Sequence, residues 1–337
     1  MHLTYRPTIA MFMALMEPDM TDLTNPIYSD EEAARKHYER VRWPNGRLCP
    51  HCGSVDNSTE LQGKSTRPGV YKCRDCEKPF TATVGTLFER SHIPLHKWLL
   101  AMHLLTSSKK GMSAHQLWRN LGFGSYRTAW FMAHRIRESY RELFPEEKGP
   151  LGGSGKIVEA DETFIGGKEK NKHRSKRRFY GTGGYGKKAV FSLLERGGKV
   201  RSQYFPAIVS AKNLRPVLVA QVDRKSFLMT DAAGQYHILG KEFARHAAVN
   251  HQAGEYVRGD AHTNTIEGYF SILKRGVTGV YHHVSQQHLK RYLAEFDFRY
   301  NERSAVGVED AERAEKALRG TVGKRLTYRQ PNGQAHT

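Results

Sequence analysis

The amino-acid sequence predicts an α/β protein in which a cysteine-rich segment and a helical segment precede strands and further helices. Three observations support this fold class. All four cysteines fall between Cys49 and Cys76, in two C-x-x-C pairs. Apolar residues recur with helical spacing from Ile93 to about Leu143. After a glycine-rich stretch that ends at Gly155, strand-like patterns appear and give way to helices from about Thr263.

The composition is that of a globular protein with a polyanionic partner. The chain has 337 residues, enough for two or three domains, and 39% of them are hydrophobic, so a core of ordinary size can form. Lys and Arg number 53 against 34 Asp and Glu, and the net charge of +19 indicates nucleic acid or an anionic membrane surface as the partner. No apolar run reaches about 18 residues, so we expect no transmembrane helix.

The first residues predict an N-terminal extension and not a secretion signal. The apolar stretch from Ile9 to Met16 is short, and Glu17-Pro18-Asp19 follows it instead of a small-residue cleavage site. Paired thiols confined to one segment also indicate a reducing compartment. We therefore expect a cytoplasmic protein whose residues 1–28 are disordered.

The two cysteine pairs predict one structural zinc ion. Cys49, Cys52, Cys73 and Cys76 have the spacing C-x2-C-x20-C-x2-C. Four thiolates on two tight turns can satisfy tetrahedral Zn²⁺ with bonds of about 2.3 Å. Four free buried cysteines are the simpler alternative, and a redox C-x-x-C would need a surrounding βαβ pattern that is absent from the sequence. With four protein ligands no coordination position stays open for chemistry.

Two consecutive helices in the next segment have the outline of a helix-turn-helix. Ser113 with Gln116 forms a capping box, Gly122 and Gly124 suit a tight turn, and Ser125 can cap the second helix. A similar capping box, Ser29 with Glu32, predicts a helix over Ser29–Arg42. Apolar residues from Ala129 to Tyr140 occupy one face of the second helix. The residues predicted to face outward from it are Arg127, His134, Arg135 and Arg137. Such a helix can enter a major groove, although many helical hairpins share this outline.

Three acidic residues stand where strand and helix patterns would bring them to one site. The predicted strands are Lys156–Ile165, Ala189–Glu195, Val200–Phe205 and Phe227–Asp231. Asp161 lies within the first, Asp231 ends the last, and Glu267 lies on a helix whose apolar face is Ile266, Phe270, Leu273 and Val277. On another side of that helix Asn264, Glu267, Ser271 and Lys274 line up, so Lys274 could contact a phosphate.

Two strand aspartates and a helical glutamate suit phosphodiester chemistry. Two Mg²⁺ ions can stabilise the charge on the attacking and leaving oxygens, and Mg²⁺ prefers carboxylate oxygens. The pattern alone leaves other acids open as members of the site. Those competitors are Glu159, Glu162, Asp223 and Asp260, and Glu159 shares a strand face with Asp161.

The sequence resembles the DDE transposases of bacterial insertion sequences that have an N-terminal zinc ribbon and an RNase H-like catalytic domain. The resemblance extends from about Asp30 to Tyr328. It is carried by Arg42–Gly46 with Cys49–Gly53, by Val158–Gly167, by Thr230-Asp231 and by His262–Gly276. It implies Asp161, Asp231 and Glu267 as the catalytic acids, and no departure occurs at these positions.

The resemblance implies a fold, a reaction and partners. The fold is an RNase H-like mixed sheet preceded by a zinc ribbon and a helix-turn-helix segment. The reaction is cleavage at element ends, followed by attack of the freed 3′-OH on target DNA, with two Mg²⁺ or Mn²⁺ ions per active site. The implied partners are double-stranded DNA, as terminal inverted repeats and as target, and a second copy of the chain in a homodimer or larger assembly.

Two other functions stay open on the sequence. A structure-specific nuclease would cut without strand transfer, and a DNA-binding regulator would have an inert catalytic domain. The regulator predicts a broken acidic triad, whereas all three acids are present here.

Basic residues outside the triad predict DNA contacts. The run from Lys168 to Arg178 holds seven Lys or Arg and one Glu, and phosphate contacts from such a loop would add affinity without sequence choice. The predicted DNA-contacting residues are Arg127, Arg135, Lys172, Arg174, Lys176, Arg177, Arg178, Lys274 and Arg275. The nearby match to G-x-G-x-x-G at Gly181–Gly186 precedes a predicted strand, whereas a nucleotide-binding loop would open a helix.

The sequence predicts five regions. They are a disordered extension over 1–28, a helix and zinc ribbon over 29–90, a helix-turn-helix segment over 91–148, a catalytic domain over 149–304, and a C-terminal helix with a basic tail over 305–337.

Overall fold

The chain folds as two compact units in a computed structural model that describes residues 22–141, 149–167, 171–177, 186–206 and 209–327, apart from the side chain of Gln252. The first unit combines the chain up to Ser107 with Asp310–Thr327, and the second comprises Ser108–Glu309. Of the extension predicted to be disordered, residues 1–21 lie outside the described residues, whereas residues 22–28 are ordered and bury Ile27 and Tyr28 in a short 3-10 helix at Pro26–Tyr28.

The helices and strands follow one another in this order: α1 (Glu31–Arg42), β1 (Ser58–Glu60), β2 (Tyr71–Cys73), β3 (Pro79–Phe80), α2 (Leu95–Ser107), α3 (Ala114–Leu121), α4 (Tyr126–Ser139), β4 (Ile157–Ile165), β5 (Lys188–Glu195), β6 (Val200–Phe205), α5 (Ala211–Gln221), β7 (Phe227–Asp231), α6 (Gly234–Leu239), β8 (Arg245–Val249), α7 (Asn264–Gly276), α8 (Gln286–Asn301) and α9 (Asp310–Arg319).

The helix starts follow the capping residues, with one difference from the prediction. Ser113 and Ser125 cap α3 and α4, accepting from Gln116 N at 3.1 Å and Arg127 N at 3.2 Å. The predicted cap Ser29 is wrong by one residue, because Asp30 accepts from Ala33 N at 2.7 Å and α1 begins after it. Both residues can cap, but a carboxylate beside free helix N–H groups also gains from the helix dipole.

The first unit is a small antiparallel sheet with helices. Strands β1, β2 and β3 pair in that order. Helix α9 packs against α1 and α2, although more than two hundred residues separate it from them in the sequence. Tyr38 on α1 is fully buried, and its hydroxyl lies 2.8 Å from Thr321 Oγ1 just beyond α9.

The second unit is built on a five-stranded mixed sheet with the order β6-β5-β4-β7-β8. Strand β5 is antiparallel to both of its neighbours, β4 and β6, while β7 and β8 run parallel to β4. The predicted RNase H-like mixed sheet is confirmed. The four predicted strands agree with β4 to β7 within one residue at each end. Strand β8 was missed, because Arg245–Val249 is short and its residues do not alternate clearly between apolar and polar.

The two faces of this sheet are covered by different helices. Val158 and Ala160 of β4 pack with Leu214 and Tyr236, which lie on α5 and α6. The other face has a second core built from β5, α7 and α8. Because side chains alternate along a strand, Glu159 and Asp161 point toward the α7 side, and Glu162 points toward α6.

Candidate functional site

Asp161 and Asp231 lie side by side on the two central parallel strands. The ladder between β4 and β7 pairs Glu159 with Met229, so both aspartates are two residues further along their strands. The Asp161 carboxylate accepts a hydrogen bond from Glu162 N at 2.7 Å, and the Asp231 carboxylate accepts one from Ala233 N at 3.1 Å. Each carboxylate is therefore oriented by the backbone that follows it.

Glu267 is in the first turn of α7, where it faces the aspartates. Thr263 Oγ1 donates to Glu267 Oε1 at 3.2 Å, and His251 Nδ1 lies 3.5 Å from the same oxygen. The side chain is 42% exposed, so solvent and ligands can reach it. The predicted apolar face of α7 is confirmed, since its members are all buried.

The start of α7 is anchored to β4 by Glu159. This carboxylate is fully buried and accepts from Ile266 N at 2.8 Å and from Thr265 Oγ1 at 2.9 Å. Since Glu159 is two residues before Asp161 on the same strand face, the residue after Ile266 is brought beside Asp161. The anchor thus determines where Glu267 stands relative to the aspartates.

Arg196 completes this anchor. Its Nε donates to Glu159 at 2.6 Å, while its two terminal nitrogens donate to the carbonyls of Asp260 and His262, both at 2.8 Å. Arg196 therefore ties the loop before α7 to the strand that carries Asp161. Glu159, which the sequence could not separate from Asp161, is paired and structural.

The carboxylates of the site repel one another. Burial raises the pKa of Asp161 to about 8, and the negative charges of Glu162, Asp231 and Glu267 add to the rise. Burial also raises the pKa of Glu162 to about 7, against the opposing effect of the Tyr236 hydroxyl, which donates to it at 2.7 Å. Glu162 is thus a fourth acid at the site, and its position beside Asp161 in the sequence was the only signal that could have indicated it.

The other two competing acids have partners elsewhere. Asp260 forms a two-pronged ion pair with Arg245, at 2.8 and 3.0 Å, on the surface. Asp223 accepts from Lys225 N at 2.8 Å in the turn before β7. The acids that mainly raise the pKa of Asp161 by their charge are instead Glu162, Asp231 and Glu267.

The four acids of the site suit a hard dication. Their donors are carboxylate oxygens, the ligand type that Mg²⁺ and Mn²⁺ prefer. Their mutual repulsion would be relieved by a bound cation, which favours the charged carboxylates. Asp161, Asp231 and Glu267 are the carboxylates that would hold such a metal, although among the described residues only the four cysteines of the first unit have ligand atoms that all lie within 4.8 Å of one another.

The four cysteines of the first unit form a structural zinc site. Their sulfur atoms all lie within 4.8 Å of one another, with Cys49 to Cys76 at 3.7 Å and Cys52 to Cys73 at 3.6 Å. Bonds of 2.3 Å to a tetrahedral Zn²⁺ would place sulfurs about 3.8 Å apart. Cys49 and Cys73 are buried against Tyr71 and Phe80. The predicted grouping of the cysteines is confirmed, and the set is closed to substrate.

The second helix of the helix-turn-helix outline is more buried than predicted. Gly122 adopts the left-handed conformation that ends α3, as expected. Arg127 is exposed, but the prediction that His134, Arg135 and Arg137 face outward is wrong, since at most 9% of each is exposed. The reason is that α4 packs against α3 and also against α8, where Arg137 donates to the buried Glu295 at 2.6 Å.

The predicted DNA-contacting residues differ in exposure. Lys274 and Arg275 are exposed on α7, whereas Arg135 is buried beside the Phe131 ring, which is a correction to its predicted role. Arg178 lies outside the described residues. The exposed members of the basic loop are Lys172, Arg174, Lys176 and Arg177.

None of the helices in the described part of the chain combines the length and apolar character that crossing a membrane requires.

Comparisons with known proteins agree with this architecture. Residues 150–301 match the family model described as an ISXO2-like transposase domain, and residues 29–79 match the model of a transposase zinc-ribbon domain. The chain is also 31% identical over 283 residues to an uncharacterized protein in transposable element ISH50 of Halobacterium salinarum. That alignment covers 81% of this chain and 91% of the relative.

Proposed function

This chain belongs to the family of insertion-sequence transposases that join a transposase zinc ribbon to an ISXO2-like transposase domain, and on that premise we propose that it cuts DNA at element ends and joins the freed 3′-OH to target DNA. Asp161, Asp231 and Glu267 are the proposed catalytic acids. The observation that carries the proposal is their convergence from β4, β7 and α7, where burial and the neighbouring negative charges together raise the pKa of Asp161.

Each acid has a defined task in this reaction. Two Mg²⁺ or Mn²⁺ ions held there would stabilise the charge on the attacking and leaving oxygens. Asp161 and Asp231 provide oxygens from rigid neighbouring strands, so their spacing is fixed by the sheet. Glu267 provides oxygens from a helix end that Glu159 anchors. Lys274, two turns after Glu267, is proposed to contact a DNA phosphate.

Basic surfaces outside the acids are proposed to bind the DNA. Phosphate contacts supply affinity and base contacts supply sequence choice. We assign the first role to the loop with Lys172 and Arg177, and the second to the zinc ribbon and to α4 near Arg127. Two element ends must be held at once for insertion, so a homodimer or larger assembly is part of the proposal.

Three variants test the proposed chemistry. In Asp161→Asn, Asp231→Asn and Glu267→Gln, cleavage of an element-end duplex and joining to a target plasmid should both fall below detection. DNA affinity should be retained or increase, because a negative charge next to the DNA is lost. The matched control is Asp260→Asn, which removes a carboxylate whose partner is a surface arginine and should keep activity.

Two outcomes would contradict the proposal. Normal strand transfer in the Asp231→Asn or Glu267→Gln variant would show that the acids are assigned wrongly. Cleavage by the wild-type chain without any joining would support a structure-specific nuclease instead.

A further inference from the structure

A pocket of about 350 Å³ opens beside α7 in the second unit. Its cationic wall consists of Lys109, Lys110 and Arg275, and no carboxylate lines it. Asn264 and the ring of Tyr300 form part of the remaining wall. The pocket thus combines positive charge with an aromatic surface, and nothing in the reaction proposed above accounts for it.

The two lysines are presented by a rigid turn. Gly111 N donates to Ser108 O at 3.1 Å, and Ser108 Oγ donates to Gly111 O at 2.8 Å, so Lys109 and Lys110 are the middle residues of a closed turn. Gly111 has φ +90°, and a Cβ there would lie 1.9 Å from the Tyr281 hydroxyl. Only glycine fits this position, so the packing of the turn against Tyr281 fixes its backbone conformation.

Close backbone packing brings this turn to the end of α7. A Cβ at Gly276 would lie 2.8 Å from the Lys110 carbonyl oxygen, so the absence of a side chain allows the contact. Arg275 is the residue before Gly276. Main-chain contacts therefore hold the three cationic residues next to one another.

The pocket has positive charge that the protein leaves unneutralised. Within the described part of the chain, Lys109, Lys110 and Arg275 have no carboxylate partner. Among the residues that the structure describes, Arg275 donates to Ser271, to its carbonyl at 3.2 Å and its hydroxyl at 3.0 Å. By contrast, the buried Arg137 and the partly buried Arg196 are both paired with glutamates. Three clustered cations without an acid are complementary to an anion.

We propose that this pocket binds the sugar-phosphate backbone of the DNA strand that leads to Glu267. This inference rests on the proposed function. Asn264 and Gly268, which flank Glu267, line the pocket, and Arg275 lies eight residues further along α7, about 12 Å at 1.5 Å per residue. One strand of a duplex advances about 3.4 Å per nucleotide, so the bound phosphates lie within about four nucleotides of the reacting one. Tyr269, Ile272 and Tyr300 provide the less polar part of the lining against which a sugar can pack.

Photo-crosslinking tests where the strand lies. A benzophenone amino acid replaces Lys109 in the full chain, with Asp161→Asn to keep the DNA intact, and the probe is a 40-base-pair element-end duplex. We expect crosslinks within about four nucleotides of the cleavage site. The matched control places the same group at Lys212, which is exposed on α5 over the opposite face of the sheet. Equal crosslinking at both positions would overturn the proposal.

Salt dependence tests the charge. In a plot of log affinity against log salt concentration the slope is negative, and each phosphate contact contributes about 0.9 to its magnitude. For Lys109→Ala/Lys110→Ala the magnitude of the slope should therefore decrease by about 2, so that affinity depends less on salt. Lys212→Ala/Lys241→Ala removes the same charge at exposed positions and should leave the slope close to that of the wild type. An equal slope change in both double variants would overturn the proposal.

Inorganic phosphate serves as the probe for a small-anion site. If 10 mM phosphate bound wild-type protein at this pocket while the duplex did not crosslink there, a free anion and not DNA would be the ligand, and the proposal would be wrong.

The experiments distinguish an error in the proposed DNA binding by the pocket from an error in the proposed transposition reaction. Binding and crosslinking need no chemistry, so crosslinks at Lys109 in a chain that never cleaves DNA would overturn the reaction and leave the pocket supported. Normal cleavage by Lys109→Ala/Lys110→Ala with the wild-type salt slope would overturn the pocket alone.

Discussion

At the scale of single residues, Glu159 and Asp161 show how two acids on one strand face acquire different tasks. Glu159 is fully buried and has an arginine, a backbone N–H and a hydroxyl as partners. Asp161 has one backbone donor and several acids around it. A buried carboxylate that is paired with donors stabilises the fold around it. An acid surrounded by other acids is instead stabilised in its charged form when a cation binds nearby. The difference lies in their neighbours and not in their own sequence pattern.

Removing the Glu159 carboxylate should destabilise the second unit. Glu159→Ala leaves the Arg196 charge largely buried without its partner, and breaking such a pair lowers the free energy of unfolding by about 3 kcal/mol. Glu159→Gln keeps an acceptor for Ile266 N, so its loss should be smaller and its cleavage activity higher than that of the alanine variant. Urea denaturation monitored by circular dichroism measures both.

The control for the two Glu159 variants is Asp260→Asn. It breaks the ion pair between Asp260 and Arg245, whose side chains are each about half exposed. Its expected loss is below about 1 kcal/mol, because solvent screens exposed pairs. If Glu159→Ala lost no more stability than Asp260→Asn, then Glu159 would not be the anchor of α7.

At the scale of elements, α4 has two ends with different surroundings. Arg127 is exposed in its first turn, while Arg135 is buried one to two turns before its end. Arg127→Ala should therefore weaken DNA binding with little effect on stability. Arg135→Ala should lower the melting temperature, since truncation removes buried contacts. Fluorescence anisotropy with labelled duplex and thermal melts of both variants check this; the opposite assignment of effects would show that the buried end of α4 contacts DNA.

The zinc ribbon is a second element whose stability depends on few groups. Its strands are only two or three residues long, and its core contains little besides the cysteines, Tyr71 and Phe80. Cys73→Ser should lose the zinc and unfold residues 49–80, because metal binding supplies the folding free energy of such small sites. Elemental analysis and amide hydrogen exchange measure the two effects.

His51→Ala is the matched control for the ribbon. His51 lies between two ligand cysteines but is exposed, with its Nε2 3.3 Å from the Pro79 carbonyl oxygen. One Zn²⁺ per chain should remain in this variant. Freshly purified wild-type protein without zinc would contradict the whole assignment.

At the scale of the whole molecule, the boundary of the second unit decides which fragments fold. Helix α4 lies before the glycine-rich stretch, yet its Arg137 is paired with Glu295 on α8, inside the same unit. This pairing lowers the pKa of the fully buried Glu295 to about 2, because arginine charges outweigh the effect of burial. A fragment that begins after the stretch would remove Arg137 and leave Glu295 with Arg299 and the Tyr281 hydroxyl as partners.

Two fragments test this boundary. A fragment of residues 108–309 should unfold cooperatively, while one of residues 150–309 should be less stable by about 3 kcal/mol or fail to fold. Arg137→Met in the longer fragment removes the ion pair with Glu295 but keeps α4. Comparing it with the shorter fragment therefore separates the effect of the ion pair from the effect of the helix. Thermal and urea unfolding curves measure the differences. Equal stability of the two fragments would show that α4 is not an integral part of the second unit.

Several features could be predicted from the sequence because they depend on local pattern. The spacing of Cys49, Cys52, Cys73 and Cys76 allows few uses other than a metal site. The strands that became β4 to β7 are long enough for their apolar character to be recognised, and the apolar face of α7 has clear helical spacing. Among the acids, resemblance to a known family was needed to select Asp161, Asp231 and Glu267.

Only the tertiary structure decided which side chains meet. It separates Glu159 from Asp161, brings Glu162 to the acids, buries Arg135 and Arg137, and places Lys109 beside Arg275. Sequence periodicity records which face of an element is buried, but it does not record which distant element covers that face. Helix α4 reads as amphipathic with a basic outer face, and α8 covers part of that face from more than a hundred residues away. By itself, the sequence determined the elements and their chemistry; long-range packing determined their partners, because charge is stabilised or exposed by neighbours that no local pattern specifies.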